Sequence, residues 1–520
     1  MTRRGPEAAA RAVAMAIGAA CAIAGAAEPR SPYDVAFDDA MARYHLPGLA
    51  VGVIENDRVA WMRTAGETVA GSGKPVTSRT VFKIASNSKA MTTALLARLV
   101  AAGKLHWDDP VTRHLPRFRM HDEWVTREIE VQDLLVHNSG LREGAGDLML
   151  WPEPNAFTRA DILAGLAWLV PQHSFRSRYA YDNLLYVVAG EVAAAAGGAP
   201  YEELVRREVF EPLGLSRCRV GEWRRDDVDD VAQPHMRKDD RNVVINADAE
   251  VVPVITSAAA GGIRCSLDDM LAWARNWLAP DARQLAWLSA EQRRPLWSAR
   301  TPMPISARRR AWDHTHAYAY ALGWRLADVD GTWTVSHTGT LSGMYSLLML
   351  LPDRHAGFVV LINGDGEAAR TTLGEVLLKH FTAPAERASI ADYAARVAAE
   401  PVTREQAAPD VSVREPVPAD ELRTRFGIWR DPWFGDVALC EEQGRVRLRA
   451  AKSPLLSGIV MRSHGRALVA WDDVRVDAEA WIDLPADADA GVLKLRKVDP
   501  RADFSFDFED LAFRRVRGCD

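Results

Sequence analysis

Ser86 and Lys89 are the residues whose types and spacing most directly indicate chemistry. They lie three positions apart in the segment Phe82–Lys89, directly before an apolar, helix-forming stretch. Side chains three apart at a helix start share one face, so the amine can reach the hydroxyl. The helix start also offers unpaired N–H groups to a developing oxyanion. The pattern predicts a serine nucleophile for acyl transfer, with Ser86 as a simple helix cap as the alternative.

Two later segments carry polar side chains suited to the same reaction. Tyr181 and Asn183 stand two apart in an extended stretch and so point to one side, which pairs a proton-transferring phenol with a substrate-binding carboxamide. His337, Thr338 and Gly339 follow at the end of a predicted strand, where glycine permits close approach of the backbone to a ligand. In isolation, a buried phenol and a strand-capping histidine are the alternatives.

The elements around these residues alternate between sheet and helix. Two apolar stretches flanking Glu55–Arg58 predict a β-hairpin before the Ser86 helix. Helical periodicity then dominates from Lys89 to about Leu278, and strand patterns return between Thr332 and Asn363. Strands at both ends with helices between them predict one α/β (α+β) domain whose antiparallel sheet is closed by distant segments.

Together these motifs resemble the serine β-lactamase and penicillin-binding-protein family, more narrowly its branch of class C β-lactamases, D-aminopeptidases and esterases (peptidase family S12 type). The resemblance covers about residues 33–382. It implies an antiparallel sheet flanked by helices, with an all-helical subdomain. Further segments that carry the resemblance are Leu134–Leu141, Pro212–Leu215, Ala260–Gly262, Asp269–Met270 and Tyr320–Trp324.

The resemblance also implies a role for each motif residue. Ser86 would attack a carbonyl and form an acyl-enzyme, with Lys89 as base or as electrostatic support. Tyr181 would act as base in acylation and as acid towards the leaving group. Asn183 would bind a substrate amide or orient Lys89. The backbone N–H groups of Ser86 and Thr340 would form the oxyanion hole.

His337 departs from the family pattern, which usually has lysine at this place. His337, Thr338 and Gly339 are expected to bind substrate. A histidine near its reference pKa of about 6.5 is mostly neutral at pH 7, whereas lysine is a permanent cation. Strong recognition of a substrate carboxylate is therefore not expected, and esters, amides or peptides with an amine are favoured. His137 with Ser139 is interpreted as a structural turn.

Composition shifts divide the chain into four predicted parts. Residues 1–26 are a signal peptide, residues 27–384 the catalytic domain, residues 385–420 a linker rich in Ala, Pro and charge, and residues 421–520 a small antiparallel barrel or sandwich. This last part resembles the lipocalin-like β domain often attached to such hydrolases. Short alternating runs, among them Phe504–Phe508, predict the strands of that last domain.

The N-terminus indicates export. Basic residues precede the apolar run Ala12–Ala24, and small residues suited to signal-peptide cleavage end it. We expect a periplasmic or secreted protein without a permanent membrane anchor. A lipoprotein through Cys21 is not favoured, because Gly18 stands where such signals usually carry a larger side chain. Unpaired thiols are expected for Cys218, Cys265, Cys440 and Cys519, with a Cys440–Cys519 bridge as the alternative.

The whole sequence limits the class of function. A formal net charge of −6 without a basic stripe argues against nucleic-acid binding. No third ligand accompanies His314 and His316, so we expect no metal and no cofactor. The prediction is an exported serine hydrolase that acts through an acyl-enzyme on a small-molecule or peptide substrate. The alternative is a non-catalytic penicillin-binding-type protein that binds cell-wall peptides; the oligomeric state stays open.

Overall fold

The computed structural model describes residues 1–2, 30–401 and 407–519. The predicted signal peptide lies almost wholly outside these ranges. Within them, no single helix is long and apolar enough to cross a membrane; only the consecutive pair Leu184–Gly197 and Tyr201–Leu213, bent by 77°, meets that test when taken together.

An antiparallel sheet of eight strands forms the centre of the first domain, in the order β2-β1-β14-β13-β12-β11-β10-β9. The predicted hairpin is confirmed: Asn56 and Asp57 have φ of 49° and 64°, as a two-residue turn between antiparallel strands requires. The sheet closes between distant segments as predicted, because β1 pairs with β14 from Leu49↔Ile362 onwards. The strands are β1 Gly48–Glu55, β2 Arg58–Gly66, β9 Thr301–Pro302, β10 Tyr318–Tyr320, β11 Arg325–Val329, β12 Thr332–Leu341, β13 Met344–Leu351 and β14 Ala356–Ile362.

Short two-stranded ladders connect the surrounding loops. They are β3 Phe82–Lys83 with β8 Arg264–Cys265, β4 Trp223–Arg224 with β7 Val251–Val252, and β5 His235–Lys238 with β6 Arg241–Val244. The first of them lies immediately before Ser86, so the ladder between β3 and β8 fixes the entry to the nucleophile segment.

Helices cover both faces of the large sheet. Alternation along β1 sends Val51 and Val53 to one face, packed against α1, α14 and α15, and sends Ala50 and Ile54 to the other, towards the helical part of the domain. The helices are α1 Pro32–Tyr44, α2 Ser88–Ala101, α3 Val111–His114, α4 Glu123–Glu128, α5 Arg159–Gly165, α6 Leu184–Gly197, α7 Tyr201–Val205, α8 Glu211–Leu213, α9 Ala258–Gly261, α10 Leu267–Leu278, α11 Ala282–Trp287, α12 Ala290–Arg293, α13 Ala307–Trp312, α14 Glu367–Thr382, α15 Ile390–Ala398 and α16 Ala419–Leu422.

The C-terminal residues form a second antiparallel sheet that curls into a half-barrel. Its order is β22-β21-β20-β19-β18-β17-β16-β23, with β15 paired to β19. The two edges approach each other at one bridge, Leu493↔Phe513. The strands are β15 Glu415–Pro416, β16 Gly427–Asp431, β17 Gly435–Glu442, β18 Arg445–Ala450, β19 Ser457–Ser463, β20 Arg466–Trp471, β21 Ala480–Asp483, β22 Lys494–Lys497 and β23 Arg514–Arg517.

The structure corrects two expectations from the sequence, one in the C-terminal domain and one about the cysteines. The run Phe504–Phe508 is not a strand but a loop that ends in a 3₁₀ turn at Phe508–Asp510. The cysteines are not free thiols: Cys440 is bonded to Cys519, which confirms the alternative named above, and Cys218 is bonded to Cys265, which was not expected. The first bridge escaped sequence analysis because the pairing depends on the approach of β8 to the loop that precedes β4.

Candidate active site

Ser86 lies in a 3₁₀ turn, Ala85–Asn87, that leads directly into α2. Ala85 has φ 48°, a left-handed conformation that is unfavourable for a residue with a side chain. Ser346 on β13 holds this turn from below: its hydroxyl donates to the Ile84 carbonyl at 2.7 Å and accepts from the Asn87 side-chain amide at 2.7 Å. The nucleophile candidate is thus fixed by a strained turn braced on the sheet.

The Lys89 amine is buried beside Ser86 and is directed by three oxygen acceptors. Its Nζ lies 3.2 Å from Ser86 Oγ, 2.8 Å from Asn183 Oδ1 and 2.9 Å from the carbonyl oxygen of Ala260. Among the residues that the structure describes, no carboxylate lies within ion-pair distance of it. Burial lowers the pKa of Lys89 to about 7, although the charge of Asp147 opposes the shift. At neutral pH the amine is therefore divided between its neutral and charged forms.

Tyr181 packs over the same amine from the loop that precedes α6. The Lys89 Nζ lies 4.8 Å from the centroid of the Tyr181 ring. Burial raises the pKa of the Tyr181 phenol, while the charge of Arg325 and a hydrogen bond with Ser86 counteract the rise. The phenol is consequently protonated at neutral pH and is a proton donor in this state.

Asn183 links Lys89 to a buried carboxyl group that sequence analysis missed. Its Oδ1 accepts from Lys89, and its Nδ2 donates to Asp147 Oδ2 at 2.8 Å. Burial raises the pKa of Asp147 well above its usual range. Both ends of the Asn183 amide are engaged, so the side chain orients Lys89. A possible signal for Asp147 is its position after the glycines Gly144 and Gly146, both of which have positive φ.

Strand β12 brings the second motif against the Ser86 turn. A Cβ at Gly339 would lie 2.2 Å from the Ile84 carbonyl oxygen and 2.3 Å from Ser346 Oγ, so only glycine fits there. β12 runs to Leu341, but its pairing with β11 stops at Ser336. The residues after Ser336 therefore keep one backbone edge that β11 does not cover. Thr340 lies on this stretch, as an oxyanion-hole donor requires.

His337 is a fully buried residue of β12. Its Nδ1 lies 2.7 Å from the Thr338 carbonyl oxygen and its Nε2 lies 2.8 Å from the Tyr320 hydroxyl. A carbonyl only accepts, so Nδ1 carries the proton and Nε2 accepts from the phenol. Burial lowers the pKa of His337 well below its ordinary value. The imidazole is neutral, and both nitrogens are occupied by protein partners.

The predicted turn at His137 supports the site from beneath. His137 has φ 58°, and its Nδ1 accepts from the backbone N–H of Asp182 at 3.1 Å. Its ring packs 4.2 Å from the centroid of the Tyr181 ring. Ser139 Oγ donates to Asp182 Oδ2 at 3.1 Å. This pair holds the Tyr181 loop in place.

The C-terminal domain supplies one wall of the site. The ring of Phe504 packs edge-on against Tyr181, with centroids 5.7 Å apart. Ser505 Oγ donates to Asp147 Oδ2 at 2.9 Å. Asp507 accepts from the backbone N–H groups of Gly146 at 2.6 Å and Leu148 at 2.9 Å. The loop mistaken for a strand is therefore one of the contacts between the two domains, and the one that reaches the active site.

A cavity lies next to the Ser86 turn, on the side of α9 and the end of β12. Its wall includes Gly261 and Leu341, which lie beside Ala85 and after Thr340 respectively. Other residues that line it are Trp151, Trp223, Ile255 and Gly262. The charged side chains of Lys83, Glu153 and Arg264 line the same cavity, so it is not purely apolar.

The fold and these contacts define a protein of the serine hydrolase type. Its Ser–Lys pair lies at the start of α2, beside the antiparallel sheet. Residues 34–380 match the family described as Beta-lactamase. The chain belongs to the Beta-lactamase family.

Curated relatives carry several different names. The chain is 26% identical over 356 residues to "Unguisins hydrolase ungD'" of Aspergillus campestris, covering 65% of this chain and 62% of that protein. It is 27% identical over 345 residues to "Penicillin-binding protein 4" of Amycolatopsis lactamdurans, covering 63% and 84%. It is 25% identical over 331 residues to the "D-alanyl-D-alanine-carboxypeptidase/endopeptidase AmpH" of Escherichia coli, covering 61% and 79%. The chain thus spans about three fifths of the hydrolase of Aspergillus.

Solved structures show the same fold. The octameric penicillin-binding protein homologue from Pyrococcus abyssi superimposes with a TM-score of 0.57 at 17% identity, covering 92% of this chain and 98% of that one. A class C beta-lactamase mutant superimposes with a TM-score of 0.55 at 19% identity, covering 67% and 96%.

Proposed function

We propose that this protein is an exported serine hydrolase that cleaves an ester, amide or peptide through an acyl-enzyme. The observation that carries the proposal is the buried Lys89 amine, 3.2 Å from Ser86 Oγ, whose pKa is lowered to about 7 by burial. A neutral amine at this distance can remove the serine proton at neutral pH.

The first half of the reaction forms the acyl-enzyme. Ser86 Oγ attacks the substrate carbonyl as its proton passes to Lys89 Nζ. The N–H groups of Ser86 and Thr340 would stabilise the oxyanion, and one such donor typically contributes about 3 kcal/mol to the transition state. The protonated Tyr181 phenol is suited to give its proton to the leaving group, after which the phenol regains a proton from Lys89.

The second half releases the acid and restores Ser86. Water attacks the acyl carbonyl, and the neutral Lys89 amine accepts its proton. The same two N–H donors would stabilise the second oxyanion. The Ser86–acyl bond then breaks, and the proton returns to Ser86 Oγ.

Acylation provides the direct test. Ser86→Ala should abolish turnover of p-nitrophenyl esters, D- and L-amino-acid amides and a chromogenic cephalosporin, and should show no acyl adduct by mass spectrometry. Ser88→Ala is a matched control, because Ser88 lies two residues away and its hydroxyl contacts, among the described residues, the Ile263 N–H at 3.1 Å and not Lys89. Undiminished hydrolysis by Ser86→Ala would disprove the mechanism.

Burst kinetics distinguish the enzyme from a binding protein. Steady turnover supports a hydrolase. Release of one equivalent of product without further turnover supports the alternative, a penicillin-binding-type protein that holds a slow covalent adduct.

Export is supported by the N-terminal pattern and by the two disulfides, since such bonds persist in oxidising compartments. Mass spectrometry of the chain recovered from the periplasm or the medium tests the export proposal. A mature chain that begins near residue 27 is expected, and accumulation of the uncleaved chain in the cytoplasm would contradict export.

A further inference from the structure

The Lys89 amine can take a proton from Ser86 only if its lone pair faces the serine hydroxyl. A neutral amine has two N–H groups and one lone pair. The side-chain oxygen of Asn183 at 2.8 Å and the carbonyl oxygen of Ala260 at 2.9 Å can only accept, so they bind the two N–H groups. The lone pair is then directed at Ser86 Oγ, 3.2 Å away.

This arrangement depends on which end of the Asn183 amide faces Lys89. If the amide were turned over, its NH2 group would donate to the lone pair that Ser86 needs. Asp147 prevents this, because its Oδ2 accepts from Asn183 Nδ2 at 2.8 Å and leaves the amide oxygen for Lys89. The direction of the base is thus set by an acceptor on the far side of Asn183.

Asp147 is itself held by the C-terminal domain. Its side chain is buried, and the same Oδ2 accepts a second hydrogen bond from Ser505 Oγ at 2.9 Å. The N–H groups of Gly146 and Leu148, on either side of Asp147 in the chain, donate to Asp507 instead. The hydroxyl of Ser505 therefore supplies one of the two hydrogen bonds that stabilise this buried carboxyl group.

The hydrogen bond from Ser505 also determines which oxygen of Asp147 stays an acceptor. An oxygen of a carboxyl group has two lone pairs, and the bonds from Asn183 and Ser505 use both lone pairs of Oδ2. Burial raises the pKa of Asp147, and a proton that it binds must go to Oδ1, which is buried without a hydrogen-bond partner among the described residues. Oδ2 consequently accepts from Asn183 in both protonation states.

The loop that carries Ser505 is attached to the catalytic domain on both sides of this residue. On one side, Phe504 packs edge-on against Tyr181, with ring centroids 5.7 Å apart. A Cβ at Gly144 would lie 2.6 Å from the Phe504 carbonyl oxygen, so the absence of a side chain there allows the close approach. On the other side, Asp507 accepts from two N–H groups of the catalytic domain.

We propose that Ser505 and Asp147 are positioning residues of the active site. Through Asn183, they direct the lone pair of Lys89 at the serine hydroxyl. The inference rests on the proposed hydrolase function, and it makes the C-terminal domain a part of the catalytic apparatus. Lys89 accepts a proton in both halves of the reaction, so a loss of this direction should lower kcat and leave substrate binding unchanged.

Variants of Ser505 test the role of its hydroxyl. Ser505→Ala should lower kcat for a p-nitrophenyl ester about 10-fold, with KM within about 2-fold of the wild-type value. Ser505→Thr keeps a hydroxyl and should restore kcat to within about 2-fold of the wild type. Ser463→Ala is the matched control, because it removes a buried hydroxyl of the same domain that donates to the Val413 carbonyl at 2.9 Å. Thermal unfolding verifies that each variant is folded at the assay temperature.

Variants of Asp147 test the role of the acceptor. Asp147→Asn retains an oxygen that can accept from Asn183 and Ser505, whereas Asp147→Leu has a similar size and no acceptor. We expect kcat of Asp147→Asn to exceed kcat of Asp147→Leu at least ~10-fold. Both variants lose the carboxyl group, so this difference reports the acceptor and not the charge.

The outcomes separate this inference from the function on which it rests. Wild-type kcat in Ser505→Ala, an equal loss in Ser505→Thr, or a change confined to KM would overturn the positioning role and leave the hydrolase intact. Equal kcat values for the two variants of Asp147 would do the same. If the wild type turns over no ester, the hydrolase and the inference fail together.

Discussion

The charged residues of the β domain and those of the catalytic centre differ in how they are paired. In the β domain, ion pairs lie at the surface, as between Arg430 and Asp436 or Arg475 and Asp473, each at 2.6 Å. In the catalytic centre, Lys89 is buried and Arg325 is half-buried, and neither has a carboxylate partner within 4.0 Å among the described residues. Surface pairs contribute little to stability, whereas buried unpaired cations oppose folding. The comparison indicates that one domain is organised for stability and the other retains unfavourable charge for chemistry.

Asp507 is a buried carboxyl group of the β domain that contacts the catalytic domain. It belongs to the β-domain sequence, but its carboxyl group is buried against the Gly146 and Leu148 N–H groups of the catalytic domain. Burial raises the pKa of Asp507 to about 8. The β domain therefore contributes a buried polar group at the one place where it approaches Tyr181 and Asp147.

The largest effect should come from Lys89→Met, which removes the uncompensated cation. Hydrolysis of an activated ester should fall at least ~10³-fold, because the proposed base is lost. The variant should be more stable than the wild type below pH 10.5. The gain is full below pH 7 and fades between pH 7 and pH 10.5, because the wild type regains stability over that range, where its unfolded chain binds a proton at this lysine and its folded chain does not. Thermal unfolding at pH 8 measures it. The exposed Lys104→Met serves as control, and a less stable Lys89→Met would contradict the burial argument.

The pH dependence of the wild type sharpens the comparison. The active form carries a neutral Lys89, so kcat/KM should rise with pH through about 7 and should be ~100-fold lower at pH 5 than on the plateau. The pKa of Tyr181 is raised by burial, so its phenol stays protonated across this range. Tyr181→Phe should lower the plateau of kcat/KM without moving the pH at which kcat/KM is half of its plateau value. If that pH shifts in this variant, the rise of kcat/KM with pH is due to ionisation of Tyr181 and not of Lys89.

Breaking the connection between the domains should have the smallest effect. Asp507→Ala leaves two buried N–H groups without an acceptor, and we expect a loss of about 1–3 kcal/mol in the free energy of unfolding. Denaturant titration measures it. Asp499→Ala is the control from the same segment, since Asp499 contacts only the exposed Arg501 at 3.2 Å. Equal stability of the two variants would show that Asp507 does not anchor the loop.

Local sequence patterns predicted much of the fold. Short apolar runs located β1, β13 and β14, which are buried on both faces, and a period-3.6 pattern located α10. The same rule failed at Phe504–Phe508. Phe506 and Phe508 are buried as the pattern predicts, but Asp507 between them is buried too, because the loop turns to the catalytic domain instead of pairing with a strand. An alternating sequence therefore does not by itself show that burial alternates.

The sequence by itself determined the spacing of Ser86 and Lys89 on one helix start, the order of the three motifs and the family. These features depend on neighbours in the chain. Only the tertiary structure decided the environment of each charge: Asp147 behind Asn183, both nitrogens of His337 occupied, Arg325 presented from the adjacent strand, and Phe504 against Tyr181. Burial and long-range pairing set these pKa values and partners, because desolvation and Coulomb interactions depend on distance in space and not on distance along the chain.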